Sequence, residues 1–131
     1  MSNPVFLYAG LCGLLLLYLS VRVVQGRVAF KVNIGDGGNE EMQRRIRAQG
    51  NFIEYAPSVL ILLYAVQQSG YSAWVVHLLG VVFVVARLLH ASGLSSSTGI
   101  SPGRLRGAGA TFLVLGVASL LAVLGAFGVK F

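Results

Sequence analysis

The sequence predicts an all-α integral membrane protein: one domain, residues 1–131, folded as a four-helix transmembrane bundle. Three observations carry this. Four apolar runs are spaced along the chain, each near the about 20 residues that cross a bilayer as a helix. Hydrophobic residues make up 56% of the chain and charged residues only 11%, and mean hydropathy is +0.78. The basic residues crowd two of the three connections, as in a chain threaded through a membrane.

The first run, residues 5–21, is free of charge, and its helix extends to about Phe30. Met1 to Pro4 lacks a basic residue and no small-residue cleavage site follows, so this is a retained helix rather than a signal peptide. Cys12 is the only cysteine, which excludes an intrachain disulfide framework and reads as a buried, inert thiol. The second run, residues 52–66, carries only Glu54, and its helix begins near Glu40. The third, residues 71–86, carries only His77 and continues to about Ala91. The fourth, residues 107–129, is uncharged, and Ser101, Pro102 and Gly103 ahead of it have the composition of a helix entry. Between helices one and two, Asn33 to Gly38 is a glycine-rich turn; no Gly-Lys-Ser/Thr follows, so it is a poor phosphate cradle. Residues 91–103, rich in Ser and Gly, read as a flexible loop.

The net charge of +6 is unevenly placed. Arg22, Arg27, Lys31, Arg44, Arg45 and Arg47 surround the first connection. Arg104 and Arg106 belong to the third, with Arg87 in the helix end before it. The second, residues 67–73, has none. The positive-inside bias then puts connections one and three in the cytoplasm and both termini outside. Trp74 and Tyr71 fall at the outer end of helix three, where an aromatic belt is expected. The basic residues sit beside lipid headgroups, which argues against nucleic acid as a partner. Arg22 and Lys31 read as interface anchors. No Cys/His/Asp/Glu cluster has metal-ligand spacing, so no metal site is predicted.

Arg47, Asn51, Glu54 and Tyr55 follow at i, i+4, i+7 and i+8, on one helical face. Ionisable groups in a membrane helix are expensive and normally face a protein interior or a wet cavity. Two readings stand: a structural Arg–Glu seam between helices, or a ligand site. Arg44, one turn earlier, has the position to line such a pocket; Arg45 points towards headgroups. Pro57 predicts a kink one turn beyond the cluster, as shape adjustment or as part of a site. His77 reads as an interhelical hydrogen-bonding group rather than a ligand. For Arg87 two readings are open: snorkelling to the inner interface, or buttressing Glu54 from helix three.

The run Arg47, Ala48, Gln49, Gly50, Asn51, Phe52, Ile53, Glu54, Tyr55, Ala56, Pro57 resembles the signature of the membrane-associated proteins in eicosanoid and glutathione metabolism. That family includes microsomal glutathione transferases, leukotriene C4 synthase and the five-lipoxygenase activating protein. The likeness extends to Gly26–Val32 and to Ala86–His90, and covers nearly the whole chain. The turn at Gly35–Gly38 and the run Arg87–Gly93 are closest to a small bacterial inner-membrane branch.

The resemblance implies a homotrimer in a lipid bilayer, with glutathione as co-substrate between neighbouring subunits near the cytoplasmic side. It implies that Arg27, Arg47, Gln49, Asn51, Glu54 and Tyr55 contact the tripeptide. The chemistry agrees: arginine forks suit the two carboxylates, Glu54 suits the ammonium, and Asn51 and Gln49 suit amide groups. The implied activity is that of a transferase or peroxidase acting on lipophilic electrophiles that reach the sulfur from the bilayer. Arg104 or Arg106, at the start of helix four, corresponds to the arginine that stabilises the thiolate. Two tyrosines that helix three supplies in the best-known transferases are replaced here by His90 and Leu94; His90 retains hydrogen-bonding capacity and Leu94 does not. The family also contains a non-enzymatic lipid-binding scaffold, so a glutathione or lipid binder without turnover is the alternative. A small four-helix proton-coupled transporter fits less well, because such proteins carry a carboxylate in the first helix and residues 5–21 have none.

Overall fold

The computed structural model describes residues 3–96, 99 and 101–130. Its elements are α1 (Pro4–Phe30), α2 (Glu40–Gln68), α3 (Ala73–Ser96) and α4 (Pro102–Ala126). No strand occurs among the described residues. α2 and α3 each pack on all three of the other helices, while α1 and α4 have no packing contact with each other.

Local chemistry sets the ends. Proline occupies the first turn of both α1 and α4, where its missing N–H is no loss. Asn39 caps α2 by accepting from the Met42 N–H, and Ser101 caps α4 by accepting from the Arg104 N–H. Glu40 and Glu41 occupy the first turn of α2, favourable against the helix dipole. The connection between α1 and α2 takes positive φ at Lys31, Gly35, Gly37 and Gly38. One guanidinium holds it: Arg27 Nη1 donates to the carbonyls of Val32 and Gly35 at 3.4 and 3.2 Å.

α1, α3 and α4 are each long and apolar enough to cross a membrane. α2, at 29 residues, is as long, but its polar and charged residues keep it out of that class. It is sheltered by the other three helices instead, burying Ala48, Phe52, Ala56, Val59, Leu63 and Val66. α2 runs unbroken through Pro57.

The structure revises two expectations. α3 continues five residues past Ala91, so Ala91 to Ser96 is helix rather than loop. Ala91, Gly93 and Leu94 are buried there, and the hydroxyls of Ser92, Ser95 and Ser96 donate back to the carbonyls of Leu89, Ala91 and Gly93. Serines that read as loop residues are here helix-surface residues bonded to the preceding turn. Part of the expected loop, residues 97, 98 and 100, lies outside the described residues. Tyr71 is not a belt residue: it is buried, precedes α3, and donates to the Val129 carbonyl at 2.7 Å. Trp74 is exposed at that end, as the belt requires.

Asn3 and Val129 lie beside the second connection. Gln67 Nε2 donates to Asn3 Oδ1 and Gln67 Oε1 accepts from the Val5 N–H, tying α1 to the end of α2. Nearby, Tyr8 Oη meets His77 Nδ1 at 2.8 Å and donates to the His77 carbonyl at 3.0 Å. His77 is thus an interhelical bonding group.

Candidate functional site

The polar residues of α2 meet α3 and α4 at the end of the bundle that carries the first connection. Close helix approach makes this possible. A Cβ on Gly107 would lie 2.5 Å from the Ala86 carbonyl oxygen, and one on Gly93 would lie 2.4 Å from the Arg104 nitrogen. Glycine at both positions lets α4 dock directly on the backbone of α3, as small residues do between membrane helices.

The centre is Arg87, which is 1% exposed. Its Nη2 donates to Asn51 Oδ1 at 2.6 Å and its Nη1 to Thr111 Oγ1 at 3.3 Å. Thr111 in turn donates to the Gly107 carbonyl at 2.8 Å. The rings of Phe52 and Tyr55 lie 5.9 and 6.0 Å from the guanidinium carbon, and Tyr55 packs edge-on against Phe112 of α4. His90 Nδ1 lies 3.4 Å from Arg87 Nη2. A guanidinium can only donate, so Nδ1 is the acceptor and the ring proton sits on Nε2. Arg87 therefore does not snorkel. It buttresses α2, at Asn51 rather than at Glu54.

From this node the network runs outward. Asn51 Nδ2 donates to Glu54 Oε2 at 3.5 Å, and Arg47 Nη1 to Glu54 Oε1 at 3.4 Å. The side chains of Arg47 and Glu54 are 56% and 49% exposed. Beside them is a cleft of about 190 Å³ lined by Gln43, Arg44, Arg47, Asn51, His90, Leu94 and Arg104. It adjoins a second hollow shared by Asn51, His90, Arg104, Leu105 and Ala108. The Nε of Arg44 is buried and has no hydrogen-bond partner among the described residues. Three guanidinium groups thus border one small cavity, with Glu54 bonded to two residues of its wall. Such an arrangement suits a ligand with more than one anionic group and one cationic group.

The structure brings Arg44, Arg47, Asn51, His90 and Arg104 to this cleft, with Glu54 and Tyr55 beside it. Arg106 is exposed and lines neither hollow. Gln49 points the other way and donates to Ser20 Oγ of α1 at 2.7 Å. Arg27 is engaged with the first connection. Arg45 is bonded to Glu41 Oε1 and to the Arg22 carbonyl, off the cleft. The Arg45 hydrogen bond, the largest influence, holds the Glu41 carboxyl below its usual range, with the charges of Arg45, Arg44 and Arg22 adding to it. Sequence reasoning underestimated Arg87 and missed Thr111. The available signal was spacing: Arg87, His90 and Leu94 recur at i, i+3 and i+7, one face of α3.

Residues 5–124 match the model of the MAPEG family. The chain belongs to the MAPEG family. It is also similar to the inner membrane protein YecN of Escherichia coli, in strain K12 and in strain CFT073, 41% identical over 87 residues in each case. That alignment covers 66% of this chain and 66% of each YecN chain. The protein is therefore an all-α membrane protein of this family.

Proposed function

We propose that the cleft between α2, α3 and α4 binds glutathione, and that the protein uses it as co-substrate in transferase or peroxidase chemistry on lipophilic electrophiles. The observation that carries this reading is the convergence of Arg44, Arg47 and Arg104 with Asn51 and His90 on one small cavity, with Glu54 attached to its wall. Glutathione carries two carboxylates, one ammonium and two amides, a set that these groups complement. The buried Arg44 Nε–H has no partner among the described residues and is available to an acceptor on the ligand. Arg44 and Arg47 take the carboxylates, Glu54 the ammonium, and Asn51 an amide. Arg104 favours the thiolate over the thiol by its charge. In transfer, a sulfur lone pair forms the new S–C bond and the electrophile's leaving group departs with its bonding electrons.

Assembly belongs to the same proposal. Arg47 and Glu54 are half-exposed on a helix whose neighbours are membrane-spanning. Leaving that face to lipid is costly. Arg27 and Gln49 lie away from the cleft of their own protomer, so they join a glutathione site only if another copy presents them. A homotrimer with sites between subunits satisfies both observations. The positive-inside bias supports a cleft on the cytoplasmic side, and the name of the YecN relatives supports the inner membrane as its location.

The deciding measurement is glutathione binding to detergent-purified protein, parent against Arg47→Ala. Saturable binding by the parent and a clear loss in the variant are expected. No saturable binding by the parent sinks the proposal. A second reading has a specific observation in its favour. Leu94 lines the cleft and offers no hydroxyl to a thiol, and His90 Nδ1 is directed to Arg87. A binder without turnover follows if glutathione binds but a generic electrophile is not conjugated.

A further inference from the structure

On the far side of α3 lies a groove that the cleft does not use. It lies between α1 and α3, encloses about 660 Å³, and is the roomiest of the hollows described for this chain. Its polarity is graded. Leu15 and Leu19 of α1 face Leu88 and Leu89 of α3 in one part. Tyr18 follows, and the other end holds Arg22 with Ser92, Ser95 and Ser96. Arg22 Nη1 donates to Ser95 Oγ at 2.8 Å, and its guanidinium lies 6.0 Å from the Tyr18 ring centroid. No carboxylate lies within ion-pair distance of Arg22 among the described residues; Glu41, whose acidity Arg22 influences, is bonded to Arg45.

From these features we infer that the groove is a binding site for one anionic phospholipid per protomer. One acyl chain lies along Leu15, Leu19, Leu88 and Leu89, and the phosphodiester is held by the guanidinium of Arg22, which has donors beyond the one given to Ser95. Ser92 and Ser96, whose hydroxyls already donate to the Leu89 and Gly93 carbonyls, make that end of the wall polar. Charge complementarity chooses this occupant. The wall is apolar where a hydrocarbon chain would lie, and cationic and hydroxylated where a headgroup would lie. A guanidinium without a carboxylate partner favours a net-anionic headgroup over a zwitterionic one. Tyr18, Leu88 and Leu89 remain about half-exposed in the protomer, so the groove is open to the outside above the buried Leu15 and Leu19. Ser92, Ser95 and Ser96 recur at i, i+3 and i+4, which places all three hydroxyls on the face of α3 towards Arg22. The site is separate from the Arg87 node and does not depend on the glutathione reading.

The test uses the full chain, delipidated in detergent and titrated with phosphatidylglycerol or phosphatidylcholine. Retained lipid is counted by native mass measurement. Glycerol phosphate, which has the anionic group without the chains, forms a third arm. The expected result is one phosphatidylglycerol per protomer, held at least about tenfold more tightly than phosphatidylcholine, with no retention of glycerol phosphate. Arg22→Gln should remove most of that preference, and Lys31→Gln, a basic residue outside the groove, should leave it within twofold. Should Arg22→Gln fail to fold, Ser92→Trp fills the groove from its exposed rim and should displace the lipid with Arg22 intact. Equal retention of the two phospholipids, or equal losses in Arg22→Gln and Lys31→Gln, overturns the proposal in favour of general attraction between a basic surface and lipid. Retention of glycerol phosphate alone also overturns it.

Discussion

Arg87 and Arg47 stand at two ends of one polar network and behave as different kinds of residue. Arg87 is 1% exposed and bonds to Asn51 and Thr111 on two other helices. Arg47 is half-exposed and reaches Glu54, on its own helix, at 3.4 Å. Enclosed hydrogen bonds from a charged donor are costly to leave unmade. Open ion pairs contribute little and are easily exchanged for a ligand. The difference separates architecture from recognition: the inner end fixes how α2, α3 and α4 sit, and the outer end is free to bind.

The largest effect should come from breaking the inner end. Arg87→Ala removes the donor to Asn51 Oδ1, strands that acceptor, and leaves a cavity between Phe52 and Tyr55. A loss of about 3 kcal/mol is expected from the unpaired buried group and the void together. Thermal unfolding in detergent reads it out. Arg87→Lys, which restores the charge but not the fork, should recover only part of the loss. If both variants unfold like the parent, the division between an architectural and a ligand-facing arginine is wrong.

How much of this was legible in the sequence depends on the range of the signal. α1, α3 and α4 follow from apolar length, and the shared face of Arg47, Asn51 and Glu54 on α2 from helical spacing alone. Cap residues Asn39 and Ser101 occupy their helix entries, the latter where Ser101, Pro102 and Gly103 suggested one. What one helix's spacing does not encode is which neighbour a side chain meets. Gln49 lies between Arg47 and Asn51 in sequence yet bonds to Ser20 on α1. Arg87 was open between lipid headgroups and Glu54; the close α3–α4 approach at Gly107 helps decide it, a packing fact rather than a pattern. The end of α3 was misread because serines score as loop residues until backbone acceptors one turn back are counted.

The next effect lies at the outer end. Arg47→Ala should weaken glutathione binding by about 1.5–3 kcal/mol, the range for a hydrogen bond to a charged group. Arg45→Ala should change it far less, because Arg45 is committed to Glu41 and the Arg22 carbonyl. Isothermal titration of both variants sharpens the comparison. Equal losses would mean that the cleft attracts anions by general charge rather than by a positioned clamp.

A smaller effect distinguishes two arginines at the start of α4. Arg104 lines the cleft, whereas Arg106 is exposed away from it. Arg104→Ala should raise the apparent thiol pKa of bound glutathione by about one unit, equivalent to about 1.4 kcal/mol. Thiolate absorbance against pH measures this, and conjugation rate should fall with glutathione affinity held within a few fold. Arg106→Ala should move neither. A shift in Arg106→Ala alone would mean that the sulfur lies on the other side of the helix entrance.

The smallest effect is expected outside the network, at the partly exposed pair of Glu41 and Arg45. Its pKa direction supplies the sign. Hydrogen bonding and nearby arginine charges hold the folded Glu41 carboxyl below its ordinary value of 4.5. A depressed folded pKa means that the unfolded chain binds the proton more readily, so the pair stabilises the fold above the unfolded value and ceases to do so as pH falls through the folded one. Glu41→Gln should therefore unfold slightly earlier than the parent at neutral pH, and the two melting curves should converge as the medium is acidified below the ordinary carboxylate range. Solvent screening keeps the gap small, and added salt should narrow it further. Arg47→Ala, scored by glutathione binding under the same salt series, should retain more of its effect, because the ligand encloses that contact. If salt erases both effects in parallel, the liganded cleft is no more enclosed than the Glu41–Arg45 pair, and the distinction between a bound ligand and a diffuse ion atmosphere disappears.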